Sequence, residues 1–278
     1  MPAGRGVRLR MDKPLSLFSK LVLLGAGALA VLAGPILYLF PNDTSAYFAW
    51  TIGHPLTPVY MGASYFAGIG NLLAVRADQW SLARVQIPAI IVFTLTMLAA
   101  TLLHLPIFNW SHPVAWAWLA VYLISPVAAV IVFLQMDRGF QSAEPGVNRL
   151  PARFSSMLQI FAVIYAVIGL ALFLFPGQAS AFWPWSLTPL TARVVGGWWL
   201  SGAALQTMLA HQKTLDTARV GLFANILVYS LLLLGAIVHF RNFDGPQVSI
   251  WLYLLLNLFL AGFSAYSWIK SGTGANNT

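Results

Sequence analysis

Apolar residues in this chain fall into unbroken blocks separated by short polar connections: 21–40, 58–75, 85–105, 114–135, 156–175, 191–210, 220–240 and 248–269. Each is close to the length a helix needs to cross roughly 30 Å of hydrocarbon. Barrel strands would read as ten-residue alternating segments, whereas these blocks are continuously apolar. Inside lipid the backbone must satisfy its own hydrogen bonds, so each block predicts a transmembrane helix. The first block follows a basic start, as a secretory signal would. A signal's apolar core typically runs only about 7–15 residues, and this block continues to Phe40, so it reads as a retained helix.

The blocks repeat. Leu37–Pro41 matches Leu172–Pro176 at an offset of 135 residues, Trp50 matches Trp185 at 135, and Pro55–Thr57 matches Pro189–Thr191 at 134. Gly62 and Gly68 match Gly196 and Gly202 at 134; Asn71 pairs with Gln206, Arg84 with Arg219 and His104 with His239, each at 135. Trp118 and Trp251 close the series at 133. A nearly constant offset points to duplication of a four-helix unit. Four spans per unit bring both units into the membrane from the same side, which makes the repeats parallel, unlike the inverted repeats of many ion-coupled carriers. The expected fold class is all-α: a polytopic membrane protein of eight transmembrane helices in two parallel tandem four-helix repeats. Its expected parts are a basic N-terminal segment (1–20), a first repeat (21–135), a cytoplasmic linker (136–155), a second repeat (156–270) and a polar tail (271–278).

Composition sharpens this picture. Residues are 59% hydrophobic and only 8% charged, against roughly 25% charged in soluble domains, which excludes a soluble globular fold. The net charge of +8 is dispersed among short loops, so it is read as membrane topology and no nucleic-acid partner is expected. Thirteen of the 15 Lys and Arg fall on one side: Arg5, Arg8, Arg10, Lys13, Lys20, Arg76, Arg84, Arg138, Arg149, Arg153, Lys213, Arg219 and Lys270. Arg193 and Arg241 remain for the other. The positive-inside rule places both termini and the linker in the cytoplasm, with 41–57, 106–113, 176–190 and 241–247 outside. A multi-pass protein of a bacterial inner membrane is the expectation. The chain has no cysteine, so disulfides, thiolate nucleophiles and cysteine-bound metals are excluded.

No phosphate-binding loop, zinc-protease or nucleophile-elbow motif is present, and no catalytic residue is assigned. All seven acids lie in loops or near span ends; an intramembrane carboxylate, the usual mark of a proton or cation path, is missing. The candidate ligand-binding residues are His104, His239, Arg193, Asn71 and Gln206. His104 and His239 recur at the outer ends of the third and seventh spans. They cap helix ends, line a polar pocket, or supply nitrogens to a haem or metal; the cofactor is left unassigned. Arg193 breaks the repeat, standing where the first half has Pro58–Val59. It either binds an anion in an outward cavity or snorkels to headgroups. Asn71 and Gln206 are the recurring neutral polar groups of mid-membrane, where such residues bond between helices or touch a ligand. Trp50, Trp110, Trp116, Trp183, Trp185, Trp198 and Trp199 gather toward the outer face, as an interfacial belt or a cage for a cation. Gly62, Gly68, Gly70, Gly196, Gly197 and Gly202 are expected to let the second and sixth helices pack closely.

The strings Phe48–Ile52, Leu102–Leu105 and Trp183–Leu190 resemble those of uncharacterised bacterial multi-pass membrane proteins over most of the chain, a resemblance that implies no activity. The four-helix unit is similar in hydropathy to DoxX-type membrane proteins. Three functions stay open: a carrier of a small molecule or lipid with its site between the repeats, a non-catalytic subunit or scaffold packed against other membrane subunits, and a haem- or quinone-associated redox protein. The lipid bilayer is a partner in all three.

Overall fold

The computed structural model describes residues 12–140 and 150–273. Arg5, Arg8, Arg10 and Arg149, residues 141–149 of the linker and the end of the tail lie outside the described residues. All the elements within them are helical. The principal ones are α1 (Leu17–Leu39), α2 (Leu56–Tyr65), α3 (Ile69–Ala77), α4 (Ile87–Leu103), α5 (Pro113–Asp137), α6 (Ala152–Leu174), α7 (Pro189–Ala210), α8 (Leu215–Val238) and α9 (Gln247–Thr273). A 3-10 turn, Phe66–Gly68, joins α2 to α3 with helical dihedrals on either side. Polar residues placed before the apolar blocks start the helices. Ser16 and Thr214 accept the backbone N–H three residues on, and Thr188 forms a capping box with Thr191 ahead of Pro189.

Six stretches are long and apolar enough to cross a membrane: Leu17–Leu39, Trp80–Leu103, Pro113–Asp137, Ala152–Leu174, Leu215–Val238 and Gln247–Lys270. They give the chain the character of a helical membrane protein. The two other expected blocks, 58–75 and 191–210, are also helical but stand apart from these six. Their sequences are less apolar because they are enclosed by protein. Every residue of α2 is buried, and most of α7 is buried despite carrying Thr191, Gln206 and two adjacent glycines.

The packing is built around these two enclosed segments. Helix α2 packs on α1 and α8, α7 on α6 and α4, α4 on α5, and α8 on α9. Glycines set the closest approaches. A Cβ added at Gly62 would stand 2.7 Å from the Gly34 carbonyl oxygen, and one at Gly196 would stand 2.8 Å from that of Gly169. Backbone therefore touches backbone at both places, the dispersion-driven contact that small residues permit between membrane helices.

Connections segregate to two ends of the bundle. At one end Trp80 N–H donates to Lys13 O, Leu150 N–H to Lys213 O, and Arg84 pairs with Asp137 over 3.0 Å. At the other, Asn109 N–H donates to Ala49 O and Gly245 N–H to Pro184 O. Lys13, Lys20, Arg76, Arg84, Lys213 and Arg219 stand at the first end; Arg193 and Arg241 stand at the second.

Two expectations change. Trp118 and Trp251 do not correspond: Trp118 is 7% exposed and Trp251 58%. Trp116, also 58% exposed, lies 135 residues before Trp251 and shares its environment. The tryptophans do not form a belt, because the connections fold back over the helix ends and bury Trp50, Trp183 and Trp185. Trp50 packs 4.7 Å from Phe48 and 5.1 Å from both Phe108 and Trp118, ring centre to ring centre. The Trp185 indole donates to Thr57 Oγ1 over 2.9 Å. Trp116 is the tryptophan of this group that faces outward.

Candidate functional site

A cavity of about 470 Å³ lies within the bundle among α1, the α2–α3 segment, α4, α5, α7 and α8, a volume in the range of small-molecule sites. It exists because bulky aromatics and small residues alternate on the enclosed helices. Trp198 and Trp199 project from α7, while the small residues Gly68 at the α2–α3 turn and Ala89 on α4 line the cavity with them. Phe93 lies against Trp198 at 4.1 Å between ring centres, and Tyr165 lies against Trp199 at 4.4 Å. The aromatic walls are therefore fixed by mutual packing.

The polar lining is neutral; among the described residues no acidic or basic side chain lines the cavity. Gln206 on α7 is held from two sides, donating to Tyr229 Oη over 3.1 Å and accepting from Asn225 Nδ2 over 3.4 Å. Tyr165 donates to the same Tyr229 oxygen over 2.9 Å, and Tyr65 and Tyr122 pair hydroxyl to hydroxyl at 3.1 Å. Against this satisfied network stand four buried atoms with no partner: Asn71 Oδ1, Gln86 Nε2, and the indole Nε1 of Trp198 and of Trp199. All four residues line the cavity. A buried polar group left without a hydrogen bond costs roughly 1–3 kcal/mol, and four residues of the lining each carry one such group.

The five sequence-predicted residues separate into two places. Asn71, on α3, and Gln206 line the central cavity. His104 and Arg193 meet at the opposite end from most of the basic residues, outside the cavity lining. Arg193 Nη1 lies 2.8 Å from His104 Nε2. Guanidinium only donates, so His104 Nε2 accepts and its ring is neutral with the proton on Nδ1. Burial, then the Arg193 charge, holds the His104 pKa below its ordinary value. Arg193 Nε is buried without a partner. Arg193 thus turns toward α4, its guanidinium spent on a neighbouring helix end. His239 caps α8 through its own N–H to Gly235 O, and no bond joins it to the Arg193–His104 pair. Among the described residues no group of three or more His, Cys, Asp or Glu is placed to hold a metal ion.

Sequence reasoning did not find Gln86, Trp198, Trp199 or the tyrosines as cavity groups. Gln86 lies at the very start of the 85–105 block, two residues after Arg84, where a polar residue draws no notice. The tryptophans read as interfacial because indole prefers headgroups. One signal was available: Trp198 and Trp199 follow Gly196 and Gly197 in the least apolar of the blocks, which marks an enclosed helix. No protein-family model matches this chain, and no curated protein or solved structure matches it either.

Proposed function

We propose that this chain is an eight-span membrane protein that holds a small, neutral, largely apolar molecule in the central cavity and serves as its carrier. The observation that carries the reading is the cavity itself, about 470 Å³ and walled by aromatics, with four lining residues that each carry a buried, unpaired, neutral polar atom. Small-molecule sites combine an apolar wall with a few placed polar groups in this way.

The architecture under this proposal is two parallel four-helix repeats about an axis along the membrane normal, with the cavity between them. The like pairing of α1 with α2 and of α6 with α7 supports it, as do the glycine contacts Gly34–Gly62 and Gly169–Gly196, each residue of one pair 134 or 135 positions from its counterpart. The crossed pairing of α2 with α8 and of α7 with α4 supports it too, since each enclosed segment then packs on the other half. Both termini are proposed to be cytoplasmic in a bacterial inner membrane, a reading supported by the concentration of basic residues at one end.

The test is mass spectrometry of organic extracts from purified protein. A lipid-soluble molecule should copurify at close to one per chain and be lost from Asn71→Leu, and proteoliposomes should exchange it between leaflets. Purified protein that carries no such molecule, and binds none on addition, overturns the reading.

A further inference from the structure

The cavity is not closed on all sides. Phe18, Leu21 and Ile124 line it and are at the same time 41%, 58% and 66% exposed on the outer surface of the bundle. Phe18 and Leu21 belong to α1 and Ile124 to α5, so the cavity reaches the flank between these two helices. Gly25 lines the same flank, and a Cβ there would meet nothing within 4 Å. Ala26 on α1 and Ser125 and Ala128 on α5 line this side as well, beside the larger Val22, Leu29 and Val121.

The other flank, between α6 and α9, is built differently. Phe161 on α6 packs 5.6 Å from Phe263 and 5.7 Å from Phe259 on α9, and Phe154 packs 5.1 Å from Phe263, ring centre to ring centre. The positions 135 residues before Phe161 and Phe263 are Ala26 and Ala128. One flank is therefore filled by phenylalanine where the other carries alanine. On the alanine flank α1 and α5 themselves touch, and where the cavity lining reaches the exposed Phe18, Leu21 and Ile124 it is within reach of acyl chains and other lipophiles.

The lining specifies what fits. With no charge in the cavity, an ionised ligand would lose its hydration with nothing to replace it, a cost of several kcal/mol or more. The two unpaired indole N–H groups can only donate, so the guest has to bring acceptor oxygens. Asn71 and Gln86 each add one further unpaired amide atom.

We propose, resting on the binding role assigned to the cavity above, that it is filled sideways from the bilayer, through the flank of α1 and α5, by a neutral lipophile whose polar end carries carbonyl or similar acceptor oxygens. The polar end reaches Trp198 and Trp199 while the apolar remainder lies along this flank past Leu21 and Ile124.

The experiment uses the full chain in liposomes with decylubiquinone as the probe, a neutral dicarbonyl lipophile that quenches indole fluorescence on contact. The parent protein should show a quenching component that saturates near one probe per chain and vanishes in Trp198→Phe/Trp199→Phe. Filling this flank with Ala26→Phe/Ala128→Phe should slow its onset at least tenfold. Gly25→Leu, at a position with room for a side chain, should do the same in a variant that keeps the parent's melting temperature. Val163→Phe, on the lipid-facing surface of α6, should leave the rate unchanged. Parent-like rate and extent in folded Gly25→Leu overturn the lateral route and leave the binding role standing. Absence of a saturable component in the parent overturns the ligand class, and copurification of a different, charged or water-soluble molecule separates that failure from loss of the binding role itself.

Discussion

Arg193, in the first turn of α7, donates Nη1 to Nε2 of His104 at the end of α4, over 2.8 Å. The bond ties the enclosed helix α7 to the end of α4. It works only while His104 is neutral, because protonation removes the accepting lone pair and sets two cations side by side.

A pH dependence follows with a defined sign. The folded state holds His104 below its ordinary pKa, so the unfolded chain binds the proton more readily. The contribution is present above the ordinary histidine value of about 6.5 and is lost as pH falls below it. Melting temperature in detergent should therefore drop between pH 7.5 and 5, and less steeply in His104→Gln, whose amide oxygen still accepts from Arg193. His54, lowered chiefly by burial, accounts for a remaining slope of the same sign. Nitrogen-15 shifts of His104 should report a proton on Nδ1 at neutral pH. A protonated His104 at pH 7 contradicts the pair.

The glycine contacts are tight enough for a methyl group to be felt. An added Cβ at Gly62 meets the Gly34 oxygen and the Tyr38 nitrogen at 2.7 Å, and one at Gly196 meets the Gly169 oxygen at 2.8 Å. Backbone has to give way in both cases, so Gly62→Ala and Gly196→Ala should each cost about 1–3 kcal/mol, the usual range for overpacking. Gly25→Ala should be nearly neutral. Equal melting temperatures for all three would remove backbone contact as the basis of helix packing here.

Asp137 holds two side chains at the basic end. Arg84 Nε donates to it over 3.0 Å, Trp80 Nε1 donates over 3.3 Å, and Arg84 also lies over the Phe140 ring at 5.0 Å. Asp137→Leu leaves the half-buried guanidinium and indole without their acceptor, and should cost about 1–3 kcal/mol. Asp137→Asn keeps an acceptor oxygen and should recover part of that loss. Chemical denaturation in mild detergent, read by tryptophan fluorescence, distinguishes the two variants.

Topology is open to direct labelling because the chain has no native cysteine. Gly53→Cys, exposed and with nothing within 4 Å of its Cβ, should react with an impermeant maleimide in intact cells. Gln141→Cys should react only after permeabilisation. The reverse pattern would place the basic end outside and overturn the proposed orientation.

Helix positions were legible in the sequence because lipid leaves the backbone one economical solution, and a block of about 20 apolar residues announces it. The segments α2–α3 and α7 mark the limit. Their sequences read as spans of the same kind as the others, yet they are enclosed by neighbouring helices, and hydropathy alone does not separate facing lipid from facing protein. Asn71 and Gln206 were found as candidates because they recur across the chain. Gln86 was missed because it stands beside Arg84, at a boundary where polar residues are ordinary.

The amino-acid sequence by itself determined the helical membrane character and the uneven distribution of basic residues. These depend on the local match between each residue and its solvent, lipid or water. It places helix starts late, at 21, 156 and 220 where the helices begin at Leu17, Ala152 and Leu215. Tertiary structure alone decided that Trp198 and Trp199 line a cavity, that Arg193 turns to His104, and that the exposed Phe18, Leu21 and Ile124 line the cavity from the flank of α1 and α5. These depend on which helix faces meet. Between membrane helices that choice rests on close packing and a few hydrogen bonds, contacts between residues distant in the chain that no local pattern of hydrophobic and polar positions encodes.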